Sequence, residues 1–170
     1  DVARLRGSLA EHRNGSLVLV GRRDLRSNNS WMHNVDVLVK GKERCTVHVH
    51  PDDASRAGIA DGVAVVVTSS TGCVELPAEV TDAIMPGVVS IPHGWGHDVE
   101  GTNLQLAGKR PGVNSHVLAG IDRFDPLSGN AVLSGIPATL PPVPAHAHHP
   151  HDRTRRPAAP TPTAAPAAAD

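Results

Sequence analysis

The chain is divided into short valine-rich runs by closely spaced glycine and proline residues. Within these runs apolar and polar side chains alternate, as in residues 45–50, where Cys45, Val47 and Val49 occupy every second position. A period of two is typical of strands that bury one face. Runs this short, ended by turn-forming residues, favour strands over helices. Strands are predicted at 16–20, 45–50, 63–68, 74–80 and 88–91, with a last short pair flanking Gly135.

One short helix is predicted between these strands. Pro51, Asp52 and Asp53 begin a segment with acidic side chains at its positive end, and Gly58 ends it. About six strands, one or two short helices and long loops indicate a mainly β fold that closes into a barrel. Because aromatic residues make up only 2% of the chain, its core must be built from Val, Leu, Ile and Ala.

Composition divides the 170 residues into three parts. We expect a lead-in at 1–13, one folded domain at 14–140 and a disordered tail at 141–170, which holds eight of the 15 prolines. Four histidines of this tail could chelate a metal, but a disordered segment does not fix a ligand shell, so no metal site is predicted. The chain begins at Asp1 rather than at a methionine, which favours a mature product or a piece of a longer protein.

The charge balance argues against nucleic acid and membrane partners. The formal net charge is -1, whereas proteins devoted to polyanions carry a basic excess. No apolar run approaches the roughly 20 residues that span a bilayer, and no signal peptide is recognisable, so a soluble, cytoplasmic protein is predicted. Residues 1–44 nevertheless carry nine Lys and Arg against five Asp and Glu, a net charge of +4 that suits an anionic ligand.

The most polar loop is predicted at residues 21–34. It contains three Arg, three Asn, two Ser and one Trp. Guanidinium groups, amides and a stacking surface suit a polyanionic, heteroaromatic ligand, and Gly21 lets such a ligand approach the backbone. The same residue types are common in solvated loops, so composition supports a ligand loop and a solvent-exposed loop equally.

The segment at 92–97 allows the same two interpretations. His93 and His97 are four residues apart, but the intervening glycines oppose a helix that would place both on one face, so a zinc pair is not predicted. The remaining alternatives are a ligand pocket and a tryptophan that anchors a glycine-rich turn. The chain has no nucleophile elbow, phosphate loop, dinucleotide glycine fingerprint or Cys-x-x-Cys, so a self-contained enzyme is poorly supported.

Five segments together resemble the C-terminal dinucleotide-binding domain of molybdopterin oxidoreductases, the group containing formate dehydrogenases, nitrate reductases and dimethyl sulfoxide reductase. They occur in the family's order over 14–140: LVLVGRRDLRSNNSWMHN, HPDDASRAGIADGVAVVVTSSTG, VTDAIMPGVVSIPHGWGH, RPGVNSHVL and DPLSGNAVLSGIPATL. Each segment alone is a weak signal, whereas five in order are specific. The resemblance implies a six-stranded double-psi β-barrel.

The resemblance also implies a cofactor and the residues that contact it. The cofactor is a molybdopterin guanine dinucleotide, usually present in two copies that together hold molybdenum or tungsten. No residue of this chain is expected to be catalytic or to ligate the metal. Carried over by position, the contacting residues are Gly21, Arg22, Arg26, Ser27, Asn28, Asn29, Ser30, Trp31, His33 and Asn34 in a first loop, His93, Gly94 and Trp95 in a second, and Asn114 and His116 in a third.

One position departs from the family pattern: His116 stands where many members have the second residue of Asn-x-Asn. In such enzymes the metal ligand and the iron–sulfur cysteines lie in other domains. This chain alone is therefore expected to be inactive, and its expected partners are those domains and an electron-transfer subunit. The implied reaction is two-electron redox at the metal, such as formate oxidation or nitrate reduction. The alternative is a non-catalytic double-psi barrel that exposes an apolar patch as a protein-interaction module.

Overall fold

A curled β-sheet forms the centre of the computed structural model, which describes residues 2–3, 6–7, 16–141 and 154–155. Six strands lie in the order β3-β4-β2-β5-β1-β6, and a seventh pairs with β4. The fold is mainly β, as predicted. The strands are β1 Leu17–Arg22, β2 Val47–Val49, β3 Ala64–Thr68, β4 Cys73–Val80, β5 Val88–Pro92, β6 Ile136–Ala138 and β7 Thr154–Arg155.

Two parallel pairs of strands determine where the loops leave the sheet. β1 runs parallel to β5, with Gly21 beside Ile91 and Arg22 beside Pro92, and β2 runs parallel to β4. The other pairs are antiparallel. Because β1 and β5 run in the same direction, the loops that follow them emerge at the same end of the sheet.

The curl of the sheet brings its two outer strands together. β3 and β6 stand at opposite ends of the strand order. Thr68 of β3 and Thr139, the residue after β6, nevertheless exchange backbone hydrogen bonds of 3.0 and 2.9 Å. Inside the curled sheet lies a valine-rich core, in which Val47, Val49 and Val65 have no exposed surface. The prediction of a core built from small and branched aliphatic side chains is confirmed.

The predicted helix is observed at Pro51–Ala57, where the N–H of Asp52 donates to Nδ1 of His50 at 3.2 Å. Gly58 ends this helix with φ 67°, in the left-handed region that favours glycine. The sequence pattern misses shorter helices, because a single turn has no recognisable periodicity. These are an α-helix at Asp36–Val39 and 3-10 helices at Trp31–Asn34, Ala107–Lys109 and Ser115–Leu118.

The prediction of a strand pair around Gly135 is wrong in part. β6 follows Gly135, but the described residues before it form only an isolated bridge between Phe124 and Ala131. Ser134, the residue before Gly135, is instead hydrogen-bonded to β1: its hydroxyl accepts the N–H of Gly21 at 3.1 Å.

The predicted lead-in at 1–13 and the tail at 141–170, with its histidines, fall mostly outside the described residues, and those boundaries stay predictions. Among the residues that the structure describes, no helix combines the length and apolar character needed to cross a membrane.

Candidate functional site

Three loops meet at the end of β1 and β5. The N–H of His93 donates to the carbonyl of Arg22 at 2.9 Å, so the loops that follow these two strands begin side by side. The third loop packs against the second at Gly96, where a Cβ would lie 2.7 Å from the Cβ of Asn114. We call them the first loop, residues 23–34, the second loop, residues 93–97, and the third loop, residues 114–116.

The first loop bends back on itself at two asparagines. Asn28 and Asn29 have φ of 43° and 65°, in the left-handed region that asparagine tolerates better than most residues. The turn continues at Ser30, whose carbonyl accepts the N–H of His33 at 3.0 Å. Gly94 of the second loop has φ 92°, and a Cβ on it would lie 1.5 Å from the Asn29 carbonyl oxygen. Only glycine fits there, so the packing of the two loops depends on Gly94.

A buried histidine joins the first loop to the second. His33 has no exposed surface, and its ring stacks on Trp95 with the ring centroids 4.0 Å apart. Its Nε2 lies 2.6 Å from Oγ of Ser27, and its Nδ1 lies 2.7 Å from Nε2 of His97. Burial, followed by the charges of His97 and Arg44, lowers the pKa of His33 to about 4. At pH 7 the uncharged His33 therefore holds the first and second loops together. We call His33 and its partners Ser27, Trp95 and His97 the clamp.

The loops border an open cleft of about 110 Å³. Its polar groups come from all three loops, from the end of β1 and from the segment before β6. None of the residues that line it carries a carboxylate. Hydrogen-bond donors and positive charge without an opposing carboxylate suit an anionic ligand. The polar lining residues are Gly21, Arg23, His93, Ser115, His116 and Ser134.

Two histidines lie next to each other in this cleft. The ring centroids of His93 and His116 are 5.0 Å apart. Burial, followed by the charges of Arg23 and His116, lowers the pKa of His93. The guanidinium of Arg23 donates a hydrogen bond to Oδ1 of Asn29, which fixes its direction. At neutral pH the cleft therefore combines a permanent cation at Arg23 with an uncharged His93.

The predicted site residues separate into groups according to their position. Three line the cleft, and four pack behind it and hold the first and second loops together. The lining residues are Gly21, His93 and His116, and the packing residues are Ser27, His33, Gly94 and Trp95.

The two predicted arginines are engaged with the protein itself. The guanidinium of Arg22 donates to the carbonyls of Ser90 at 2.9 Å and Thr46 at 3.1 Å, away from the cleft lining. Burial lowers the pKa of Arg22. The guanidinium of Arg26 donates to the carbonyl of Val37 at 2.7 Å, at an exposed position. Both side chains stabilise backbone segments next to the site.

Three further predicted residues also lie outside the cleft lining. Oδ1 of Asn34 accepts the N–H of Leu106 at 2.9 Å, which ties the first loop to the segment that follows the second. Oδ1 of Asn114 accepts the N–H of His116 at 3.0 Å and so shapes the third loop. Trp31 is 82% exposed.

Sequence reasoning misses three cleft residues and one member of the clamp. For Arg23 a signal exists, because residues 21 and 23 point to the same side of an extended chain. Ser115 lies between two predicted residues and could have been included with them. For Ser134 we find no signal, since its partner Gly21 is 113 positions away in the chain. His97 lies in the segment 92–97 that allows a ligand pocket, but no local pattern indicates its contact with His33, 64 positions away.

The chemistry that the cleft offers is that of hydrogen bonding and positive charge. The described residues contain no group of three or more His, Cys, Asp or Glu side chains that could hold a metal ion. Guanidinium, hydroxyl and imidazole groups bind phosphates and the edges of heteroaromatic rings. The donor set therefore fits an organic anion.

Residues 17–137 match the family model described as "Molydopterin dinucleotide binding domain". Biotin sulfoxide reductase of Cereibacter sphaeroides is 34% identical over 97 residues, which are 55% of this chain and 13% of that protein. Dimethyl sulfoxide/trimethylamine N-oxide reductase of Rhodobacter capsulatus is 45% identical over 60 residues, 35% of this chain and 7% of that protein. One tetrathionate reductase chain of Salmonella typhimurium is 31% identical over 111 residues, 55% of this chain and 11% of that protein.

The fold also matches that of a solved structure. Acetylene hydratase from Pelobacter acetylenicus superposes with a TM-score of 0.66 at 23% identity, over 81% of this chain and 20% of that one. The chain spans only 7–13% of the length of the three curated relatives. The matched range 17–137 includes β1, all three loops and the whole lining of the cleft. The chain therefore belongs to the molybdopterin dinucleotide-binding domain family.

Proposed function

We propose that this chain binds and orients a molybdopterin guanine dinucleotide within a molybdenum-dependent oxidoreductase. The cleft at the end of β1 and β5 carries this proposal. It combines a permanent cation, two histidines and two hydroxyls, and no carboxylate lines it. The cofactor is anionic at its diphosphate and presents hydrogen-bonding edges at its pterin and guanine rings, so its chemistry is complementary to these groups.

The residues of the site would serve this cofactor in two ways. Arg23 would pair with a phosphate, while Ser115, His116 and Ser134 would donate hydrogen bonds to phosphate or ring acceptors. Ser27 and His33, behind the cleft, would keep the loops in register without touching the cofactor. The bound molybdenum or tungsten supplies the redox chemistry, and this chain contributes binding, orientation and the local electrostatic field.

We further propose that the curled sheet is a six-stranded double-psi β-barrel. Three observations support this topology: the strand order, the two parallel pairs β1–β5 and β2–β4, and the hydrogen bonds between Thr68 and Thr139 that link the outer strands. Parallel pairing of β1 with β5 would allow the first and second loops to contact one cofactor, because both loops emerge at the same end of the sheet.

The first loop and the following helix expose three apolar side chains, which we call the exposed apolar surface. Leu25 is 94% exposed, Trp31 82% and Val37 56%. Covering such side chains with another surface is favourable, because it removes apolar area from water. We propose that the remaining domains of the same oxidoreductase cover it, since the chain spans a small part of its relatives. Those domains would also provide the metal ligand, the iron–sulfur cluster and the contact to an electron-transfer subunit.

The reaction of the complete enzyme is proposed from its relatives. The curated relatives are named as reductases of biotin sulfoxide, of dimethyl sulfoxide and trimethylamine N-oxide, and of tetrathionate. We propose a two-electron redox reaction of this general type, with formate oxidation and nitrate reduction as further candidates. On this view the isolated chain has no activity of its own.

The proposal is tested on the native protein that contains this chain, purified without oxygen from a host that makes the cofactor. Molybdenum and tungsten are measured by mass spectrometry, and guanine nucleotide is measured after acid hydrolysis. We expect metal and nucleotide in stoichiometric amounts. Arg23→Ala should lower both several-fold, whereas Lys40→Ala, which removes an exposed cation outside the cleft, should retain them.

Two outcomes would contradict the proposal. Native protein with neither metal nor guanine nucleotide would restrict the family likeness to the fold. If the Arg23→Ala protein kept its full content of metal and guanine nucleotide, the cleft would not be part of the cofactor site. In the first case the alternative function, a protein-interaction module that uses the exposed apolar surface around Trp31, would be tested next.

A further inference from the structure

The cleft contains a pair of histidines beside a permanent cation. His93 follows β5, His116 belongs to the third loop, and their ring centroids are 5.0 Å apart. Arg23 faces them from the end of β1. The remaining wall, which includes Ser134, contributes no charged side chain, and no carboxylate lines the cleft. The pair therefore has no internal counter-charge that would stabilise a protonated imidazole.

We propose that His93 and His116 form a proton-linked oxyanion site, in which the histidine pair takes up a proton from solvent when the diphosphate of the cofactor binds. This inference rests on the proposed function, because it assigns the diphosphate to this cleft. It concerns these two side chains and goes beyond the family likeness, since His116 occupies a position where many members have asparagine.

The physical basis is the reversal of charge around the pair on binding. Without a bound anion, burial, followed by the charges of Arg23 and His116, lowers the pKa of His93. An oxyanion held by Arg23 places negative charge beside both rings, which favours the protonated imidazole. The bound state then holds a proton that the free state lacks. By linkage, affinity for the anion must increase as the pH falls wherever the bound state holds more protons than the free state.

His116→Asn separates this inference from a simple hydrogen-bonding role. Asparagine retains a donor and an acceptor but cannot take up a proton. Because His116 is exposed at the cleft surface, the substitution leaves the core untouched. We expect the variant to bind at high pH about as well as the wild-type chain and to gain less affinity than the wild-type chain at low pH, because only His93 of the pair remains.

Binding to the full chain is measured by calorimetry with two probes, sulfate and GDP-mannose, whose charges do not change between about pH 5.5 and about pH 8. The affinity of the wild-type chain should rise at least about fivefold from about pH 8 to about pH 6. Titrations in two buffers of different ionisation enthalpy should show uptake of about one-half to one proton. His50→Asn is the matched control, because it changes a histidine at the other end of the sheet and keeps a side chain suited to a helix N-cap.

Each outcome decides the inference. A pH-dependent affinity that His116→Asn weakens and His50→Asn leaves unchanged supports it. A pH-independent affinity, a pH dependence that is the same in His116→Asn as in the wild-type chain, or no binding of either probe at any pH overturns it. Cofactor content of the native protein remains the test of the proposed function, so the two can fail separately. If GDP-mannose binds and sulfate does not, the pH dependence of GDP-mannose binding alone decides the linkage, and the site needs a diphosphate.

Discussion

Acid should destabilise this chain through His33, because its buried ring cannot take up a proton without leaving the clamp. Burial and its cationic neighbours lower the pKa of His33 from 6.5 to about 4. Between these values the unfolded chain binds a proton that the folded chain does not, so stability falls as the pH is lowered below 6.5. The free energy of unfolding falls by about 1.4 kcal/mol per pH unit, and the total decrease reaches about 3 kcal/mol near pH 4.

The assay is urea unfolding of the wild-type chain and His33→Gln, from about pH 7.5 to about pH 4.5. At neutral pH the variant should be the less stable of the two, because it loses the ring stacked on Trp95. As the pH falls, the difference in free energy of unfolding between the two proteins should shrink by about 2–3 kcal/mol, because only the wild-type chain is destabilised by keeping His33 neutral. Other acid-sensitive groups are present in both proteins, so their contributions largely cancel.

Trp95→Phe is the control for packing. Nε1 of Trp95 is buried without a hydrogen-bond partner among the described residues, so phenylalanine removes no hydrogen bond and preserves a ring for His33 to stack on. This variant should keep the acid sensitivity of the wild-type chain. A stability difference between wild type and His33→Gln that stays constant from neutral to acid pH would refute the assignment of a neutral, acid-sensitive clamp.

Two further substitutions test how the loops are held. Gly94→Ala should lower the thermal midpoint much more than Gly101→Ala does. Both glycines have positive φ, but only a Cβ at position 94 would lie against the Asn29 carbonyl. Equal losses of thermal midpoint would show that backbone strain, and not the contact between the loops, causes the loss. Arg22→Ala should lower the free energy of unfolding in urea by about 1–3 kcal/mol without any cofactor, because the carbonyls of Ser90 and Thr46 lose a charged donor. Arg22→Lys should lower it less. An unchanged free energy of unfolding would instead favour direct contact of Arg22 with the cofactor.

The fold could be predicted where the signal is local. Alternation identified β2 and β4, and the acidic start and glycine stop identified the helix at Pro51–Ala57. The strand order β3-β4-β2-β5-β1-β6 could not be read from the sequence in the same way. Parallel pairing of Val18 with Val88 joins residues 70 positions apart, and no local pattern specifies such a partner.

The site could be predicted as a set of loops, but not as a set of contacts. Ser27 and His33 belong to a polar segment and were expected to meet a ligand, yet both turn inward and hydrogen-bond each other. That direction follows from the positive φ of Asn28 and Asn29, which reverses the chain between them. Residue type alone does not reveal such a reversal, since asparagine also occurs in ordinary loops.

Arg22 and Arg23 show why side-chain direction decides the role of a residue here. They are adjacent, identical in chemistry and at the end of the same strand, so composition treats them alike. Because successive side chains point to opposite sides of an extended chain, one guanidinium reaches the carbonyls of Ser90 and Thr46 while the other lines the cleft. Arg22 donates hydrogen bonds to backbone carbonyls inside the protein, and Arg23 remains available to an anion. Among the residues that line the cleft, Arg23 is the cation that comes from the basic N-terminal quarter, and the alternation along β1 determines that this charge, rather than that of Arg22, can meet a cofactor.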